Sequence, residues 1–119
     1  MMKTESEKKS TALVVTRDGM GSADQKLQHK LIKAYFKLLI ENGKLPDAIA
    51  FYTDGVKLTT EGSPILEELK ILAENGVLLI ICSTCLNYFG LMDRVQVGIP
   101  SHLPDIIDVQ QRADKVITI

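Results

Sequence analysis

The stretch "LLIICSTCLNYFG", residues 78–90, decides how this chain is read. An apolar run stops at Cys82, Cys85 follows, and no other cysteine occurs in the 119 residues. A wholly apolar run bounded by turn signals reads as a strand covered on both faces of its sheet. Val77 to Ile81 is therefore expected to be a central strand, followed by a helix from about Thr84 to Asp93. Ser83 or Thr84 is the expected helix cap. Two thiols at a strand-to-helix junction raise four possibilities: sulfur chemistry, a redox couple, half of a metal site, or core packing.

The same alternation recurs on either side. "TALVVT" (11–16) is a short β-branched run, followed by the turn-rich "RDGMGSAD". From Ala23 to Glu41 the period becomes helical, with Leu27, Leu31, Ala34, Tyr35, Leu38 and Leu39 expected to face the core and lysines mostly opposite. Ser22 is the expected cap and Gly43 the stop. A second strand is expected over Ala48–Thr53, then a long turn, "DGVKLTTEGSP", and a helix capped by Ser63 with Pro64 in its first position. Ile65, Leu66, Leu69 and Leu72 form its apolar stripe. "VQVG" (95–98), "LPDIIDVQQRA" (103–113) and "KVITI" (115–119) complete the pattern as strand, helix and strand. The expected fold is a three-layer α/β/α sandwich with a mainly parallel five-stranded sheet. Its special turns fall at strand carboxyl ends, where such sheets bind ligands.

Composition bounds the function. A chain of 119 residues makes one domain, and 45% apolar with 24% charged residues is ordinary for a globular protein. A net charge of −1 gives no electrostatic reason for nucleic acid or an anionic membrane, and without tryptophan there is little to stack on bases. The apolar run "GVLLIIC" is far too short to span a bilayer. "MMKTESEKKS", residues 1–10, reads as a disordered polar tail without an export signal, ahead of a single domain at 11–119. A cytoplasmic location is expected, where a nearby thiol pair stays reduced.

Cys82 at the strand end would face helix-terminal N–H groups and the positive end of a helix dipole, which favour thiolate. Cys85 would lie one turn along, in reach of an adduct on Cys82. Both residues are also ordinary packing candidates, since free cysteine is often buried. A structural zinc site needs four ligands, and His29 and His102 are distant in sequence and read as surface or capping residues, so no metal is expected. "DGMGSAD" lacks both the G-x-G-x-x-G and the G-K-[ST] pattern, and Asp24 would repel a phosphate. Gly19 and Gly21, with Ser22, read as turn residues, and no cofactor is expected. In the second turn Asp54-Gly55 reads as a tight bend. Lys57 is a candidate for bringing positive charge over Cys82, against the plainer reading of a solvated loop.

"FYTDGVKLTTEGSPILEELKILAENGVLLIICSTCLNYFGL" resembles the DsrE-like family, and within it the C-terminal domain of YedF-type proteins of selenium metabolism. "LVVTRDGMGSADQKL" and "DKVITI" fit the same resemblance, so it spans nearly the whole chain after the tail. It implies a DsrE-like fold, a homo-oligomer (dimer, trimer or hexamer), and sulfur carried as a persulfide at the position of Cys82, with Cys85 as the second thiol. Ser83 stands where the YedF pattern has glycine, and Thr53 where it has asparagine. The sulfur-carrier domain of those proteins is not in this chain, so the resemblance implies a carrier acting in trans. Three functions follow: relay of sulfane sulfur or selenium on Cys82 as a sulfurtransferase, a Cys82–Cys85 redox or sensor couple, or a non-catalytic ligand-binding or complex subunit.

Overall fold

A computed structural model describes residues 9–119. Five strands form one sheet in the order β4-β3-β2-β1-β5: β1 Thr11–Val15, β2 Ala48–Phe51, β3 Leu78–Cys82, β4 Ile99–Ser101 and β5 Lys115–Thr118. Every pairing is parallel, with Val15 opposite Phe51 and Phe51 opposite Ile81. Ala12, Leu13, Val14 and Val15 are all buried, as are Ala48 to Phe51, which is why these strands read as continuous apolar runs rather than alternating ones.

The helices follow from the connections. α1 (Gln25–Glu41) leads from β1 to β2, and α2 (Leu66–Glu74) from β2 to β3. Both steps move in one direction across the sheet, so right-handed crossovers put both helices on one face, where they pack on each other. α4 (Leu103–Arg112) returns the chain to the far side of β1 and packs over β2 and β3 on the opposite face. α3 is a short helix, Ser83–Tyr88, directly after β3. Phe36, Phe51, Ile49, Leu69, Leu72 and Ile81 belong to the fully buried core.

Four expectations change. α1 turns Ile32 and Phe36 to the sheet, whereas Leu27, Leu31, Ala34 and Leu38 are exposed. Its cap position is Asp24 rather than Ser22, without a side-chain capping bond. "VQVG" is not the fourth strand: Val95 bridges antiparallel to Thr60, Gly98 takes a left-handed φ of 93°, and the parallel pairing starts at Ile99. Pro100 is tolerated there because β4 is an edge strand with no outer partner for a missing N–H. The third helix ends at Tyr88, before Gly90 (φ 67°), and Met92–Arg94 forms a separate 3₁₀ turn. Ser63 keeps part of its expected role, since its Oγ accepts the Ile65 N–H at 3.2 Å, although α2 begins at Leu66.

Of the expected tail at 1–10, positions 1–8 lie outside the described residues, and Ser10 is held by Asp114, which accepts its N–H at 2.9 Å. The second long turn is no open loop. Thr53–Thr59 forms a 3₁₀ helix that buries Gly55, Val56, Leu58 and Thr59. A Cβ on Gly55 would stand 2.1 Å from the Val15 carbonyl oxygen, so only glycine lets this helix lie against the end of β1. Gly55→Ala is expected to lower the unfolding free energy by about 1–3 kcal/mol, the usual cost of overpacking. Urea unfolding measures this, and an unchanged midpoint would contradict the close approach.

Candidate functional site

The carboxyl ends of β1, β2 and β3 carry three segments that meet: the Thr16–Asp24 turn, the Thr53–Thr59 helix and α3. Cys82 is the last residue of β3 and itself holds the cap position of α3, so neither Ser83 nor Thr84 is the cap. Ser83 instead donates its hydroxyl to the Ser101 carbonyl at 2.9 Å, and its oxygen lies 3.3 Å from His102 Nδ1. Cys82 is only 5% exposed and belongs to the core, whereas Cys85, in the first turn of α3, is half-buried.

Cys85 is therefore the thiol that reaches the surface. It lines an apolar pocket of about 270 Å³ with Thr53, Thr84, Tyr88 and Phe89. The Thr53 N–H donates to Cys85 Sγ at 3.1 Å. Thr53 can aim its amide there because its backbone is left-handed, with φ 49°, the one non-glycine residue so placed among those described. For a β-branched residue that is a strained conformation. The Thr53 hydroxyl helps hold it, lying 2.6 Å from the Thr16 carbonyl and 2.7 Å from that of Tyr52. Asparagine, which the resembling pattern carries here, tolerates this region more readily.

Burial pushes the Cys85 thiol above its ordinary pKa, and its hydrogen bond with the Cys82 side chain pushes the same way. The Thr53 amide opposes them, and charge on Cys82 would raise the value further. The folded state thus holds the Cys85 proton more tightly than the unfolded chain. Its contribution to stability is present below the ordinary thiol pKa and is lost as pH rises past it.

Lys57 is engaged elsewhere than expected. Its Nζ pairs with Asp54 at 2.8 Å and lies 4.5 Å from the centroid of the Phe89 ring, and it makes no hydrogen bond to either thiol among the described residues. Phe89 is shared: one side lines the thiol pocket, the other a polar cleft of about 340 Å³. That cleft contains a pair no local motif announced, His29 Nε2 and Asp18 Oδ1 at 3.1 Å, with Gln25 Nε2 donating to the other Asp18 oxygen at 3.1 Å. Asp18 and His29 lie 11 positions apart, and only folding the Gly19–Gly21 turn back on α1 joins them. Gly19 has φ 141° and a Cβ there would meet Gln28 Cβ at 2.4 Å; Gly21 has φ 71°. Gly19, Gly21 and Ser22 thus shape the turn and do not line the thiol pocket. No group of three or more His, Cys, Asp or Glu side chains suited to a metal occurs among the described residues.

Two measurements test this geometry. Thr53→Gly is expected to be more stable than Thr53→Ala by about 0.5–1 kcal/mol, the relief of left-handed strain less the larger unfolded entropy of glycine; equal urea midpoints would contradict the strain. Iodoacetamide should modify Cys85 more slowly at pH 7 than an unstructured peptide thiol, with a rate still climbing where the peptide's has levelled off. A profile centred below the peptide's would reverse the assigned sign.

The sequence profile of the DsrE/DsrF-like family matches residues 9–119. A search of curated proteins returned no match. Among solved structures, the YchN protein of E. coli superposes with a TM-score of 0.70 at 21% identity, covering 94% of this chain and all (100%) of that one. MTH1491 of Methanobacterium thermoautotrophicum, a protein of unknown function, gives 0.68 at 17% identity, with 94% and 100% coverage. BT1422 of Bacteroides thetaiotaomicron, also of unknown function, gives 0.62 at 14%, covering 91% and 94%. These likenesses carry the fold, and the profile match over nearly the whole described chain carries the family: this protein belongs to the DsrE/DsrF-like family.

Proposed function

We propose that this protein relays sulfane sulfur, with Cys85 as the thiol that takes it up and Cys82 as the thiol behind it. The roles expected from sequence are thereby exchanged. The single observation that carries this reading is the Cys85 sulfur, at the surface of an apolar pocket, receiving the Thr53 N–H at 3.1 Å. Burial and Cys82 hold the Cys85 proton overall; the N–H aimed at sulfur works against them, favouring charge on the sulfur as it attacks and on the perthiolate that follows.

In the first step Cys85 attacks the outer sulfur of a donor persulfide, R–S–SH. A Cys85 S–S bond forms, the donor S–S bond breaks, and the thiol proton passes to the departing R–S⁻, giving Cys85–S–SH and R–SH. An acceptor thiol then takes the outer sulfur and restores Cys85–SH. With no acceptor, Cys82 attacks the inner sulfur, forming a Cys82–Cys85 disulfide and releasing H₂S. The sulfane sulfur is then reduced by the two electrons the cysteine pair gives up, and an external dithiol must reset the site.

The donor and acceptor in this reading are thiol carriers acting in trans, within a cytoplasm that keeps the pair reduced. The "GVKLTTEGS" and "CSTCL" likeness to YedF-type proteins makes selenium an alternative cargo. The placement of the chain's two free thiols at the end of β3 and in the first turn of α3 also favours a second reading, a dithiol redox couple. Whole-protein mass spectrometry after incubation with a persulfide donor separates them. The relay predicts one added sulfur on Cys82→Ser, none on Cys85→Ser, and a native chain that releases H₂S as it closes the Cys82–Cys85 disulfide. Loading of Cys85→Ser equal to Cys82→Ser would overturn the assignment, and a Cys82→Ser chain that takes up no sulfur, beside a native chain that loses two hydrogen atoms to a disulfide, would favour the redox couple.

A further inference from the structure

Two cavities meet at Phe89. One holds Cys85, and the other is the polar cleft of about 340 Å³ built from the segments that follow β1 and β2. Sheets of this kind take their ligands at that end. The uptake of sulfur on Cys85 uses nothing in the cleft, yet the cleft is furnished.

Its two walls differ in what they offer. On the wall formed by the Asp18 turn and α1, His29 Nε2 and Gln25 Nε2 each lie 3.1 Å from an Asp18 oxygen. The His29 and Asp18 side chains are 27% and 22% exposed, so both are held yet reachable. With Nε2–H given to Asp18, a neutral His29 keeps the Nδ1 lone pair, which has no hydrogen-bond partner among the described residues. This wall accepts hydrogen bonds and carries negative charge. The other wall, Lys57 with the Thr60–Pro64 entry to α2, offers donors. Lys57 Nζ gives one N–H to Asp54 and keeps two. Ser63 Oγ accepts the Ile65 N–H, and its own hydroxyl hydrogen has no acceptor among the described residues. Glu61, the one acid of this wall, is held by Arg94 at 3.1 Å.

Acceptors on one wall and donors on the other fit a zwitterion, with an ammonium against Asp18 and His29 and a carboxylate against Lys57 and Ser63. A simple anion would meet Asp18, and a simple cation would meet Lys57. Phe89 indicates which zwitterion. Lys57 Nζ lies 4.5 Å from the centroid of its ring, and the same ring walls the Cys85 pocket. The donor wall and the receiving sulfur are therefore separated by a single aromatic side chain. An amino acid whose side chain ends in sulfur can lie along that ring with both ends placed.

We propose that the polar cleft binds the amino-acid end of a low-molecular-weight persulfide, cysteine persulfide or a short peptide carrying it, and presents its outer sulfur to Cys85. This names the substrate class of the relay and rests on that reading.

Two measurements test it and separate its failure from that of the relay. The first is NMR titration of the full-length native chain with S-methylcysteine, which carries the amino-acid end and a sulfur that cannot be transferred. Saturable shifts should appear at His29, Ser63 and Cys85. Asp18→Asn should weaken the binding about tenfold, the loss of one hydrogen bond to a charged group. Ethyl methyl sulfide, which has no charged group, should leave His29 unmoved. The second is the rate at which the Cys82→Ser chain takes up sulfur from cysteine persulfide and from ethyl persulfide. Cysteine persulfide should have a KM about tenfold lower, and Asp18→Asn or Lys57→Met should each remove most of that advantage. Equal KM values for the two donors, or an advantage that survives both substitutions, would overturn the proposal and leave the relay standing. Uptake from neither donor would refute the relay, and the titration then decides the cleft alone. No saturable shift at His29, or equal shifts with ethyl methyl sulfide, would overturn it.

Discussion

The arrangement at the thiol pocket depends on the close contact of Gly55 with the Val15 carbonyl. That contact lets the Thr53–Thr59 helix lie against the end of β1. With that helix in place, Thr53 is turned left-handed, its hydroxyl lies between the Thr16 and Tyr52 carbonyls, and its amide has one remaining direction, towards Cys85. Any larger residue at position 55 would push the helix off β1 and take the amide with it. The strain at Thr53 is thus maintained by packing several residues away, the usual way a fold holds an unfavourable backbone at a site.

The two thiols differ because of depth. Cys82 ends a strand inside the sheet, among Ile81, Leu86 and the rest of the core, while Cys85 is carried one helical turn outward. The outer sulfur meets an apolar wall and a backbone donor, and the inner sulfur stays within the core. This ordering suits a chemistry in which one atom meets the partner and the second acts from behind. The exposed Tyr88, packed edge-on against Phe89 with ring centres 5.4 Å apart, adds an apolar rim on the solvent side. Lys57 is fixed over the other wall by Asp54 and Phe89, and its charge serves the polar cleft with Asp18 and His29.

Much of the fold was legible in the residues. β1, β2 and β3 are buried on both sides and so appear as unbroken apolar runs, and the glycines after them mark the turns. The α1 face was misread because the helix has two apolar stripes, and the one with leucines at seam spacing outweighed Ile32 and Phe36. "VQVG" looked like a strand because its residues do pair, but with Thr59 and Thr60 rather than with β3. At the site, the cysteines and the importance of "TDGVKL" were visible. Their relative depth was not, since it depends on where β3 stops inside the sheet. The Asp18–His29 pair had no local signal, because its members join only after the glycine turn closes on α1.

The central claim is that Cys85, and not Cys82, is the sulfur presented to a partner. Residue-resolved mass spectrometry of the native protein under limiting iodoacetamide tests it most directly. The account predicts modification at Cys85 first, with Cys82 reacting only after the chain is unfolded. Modification of Cys82 ahead of Cys85 in the folded protein would contradict it.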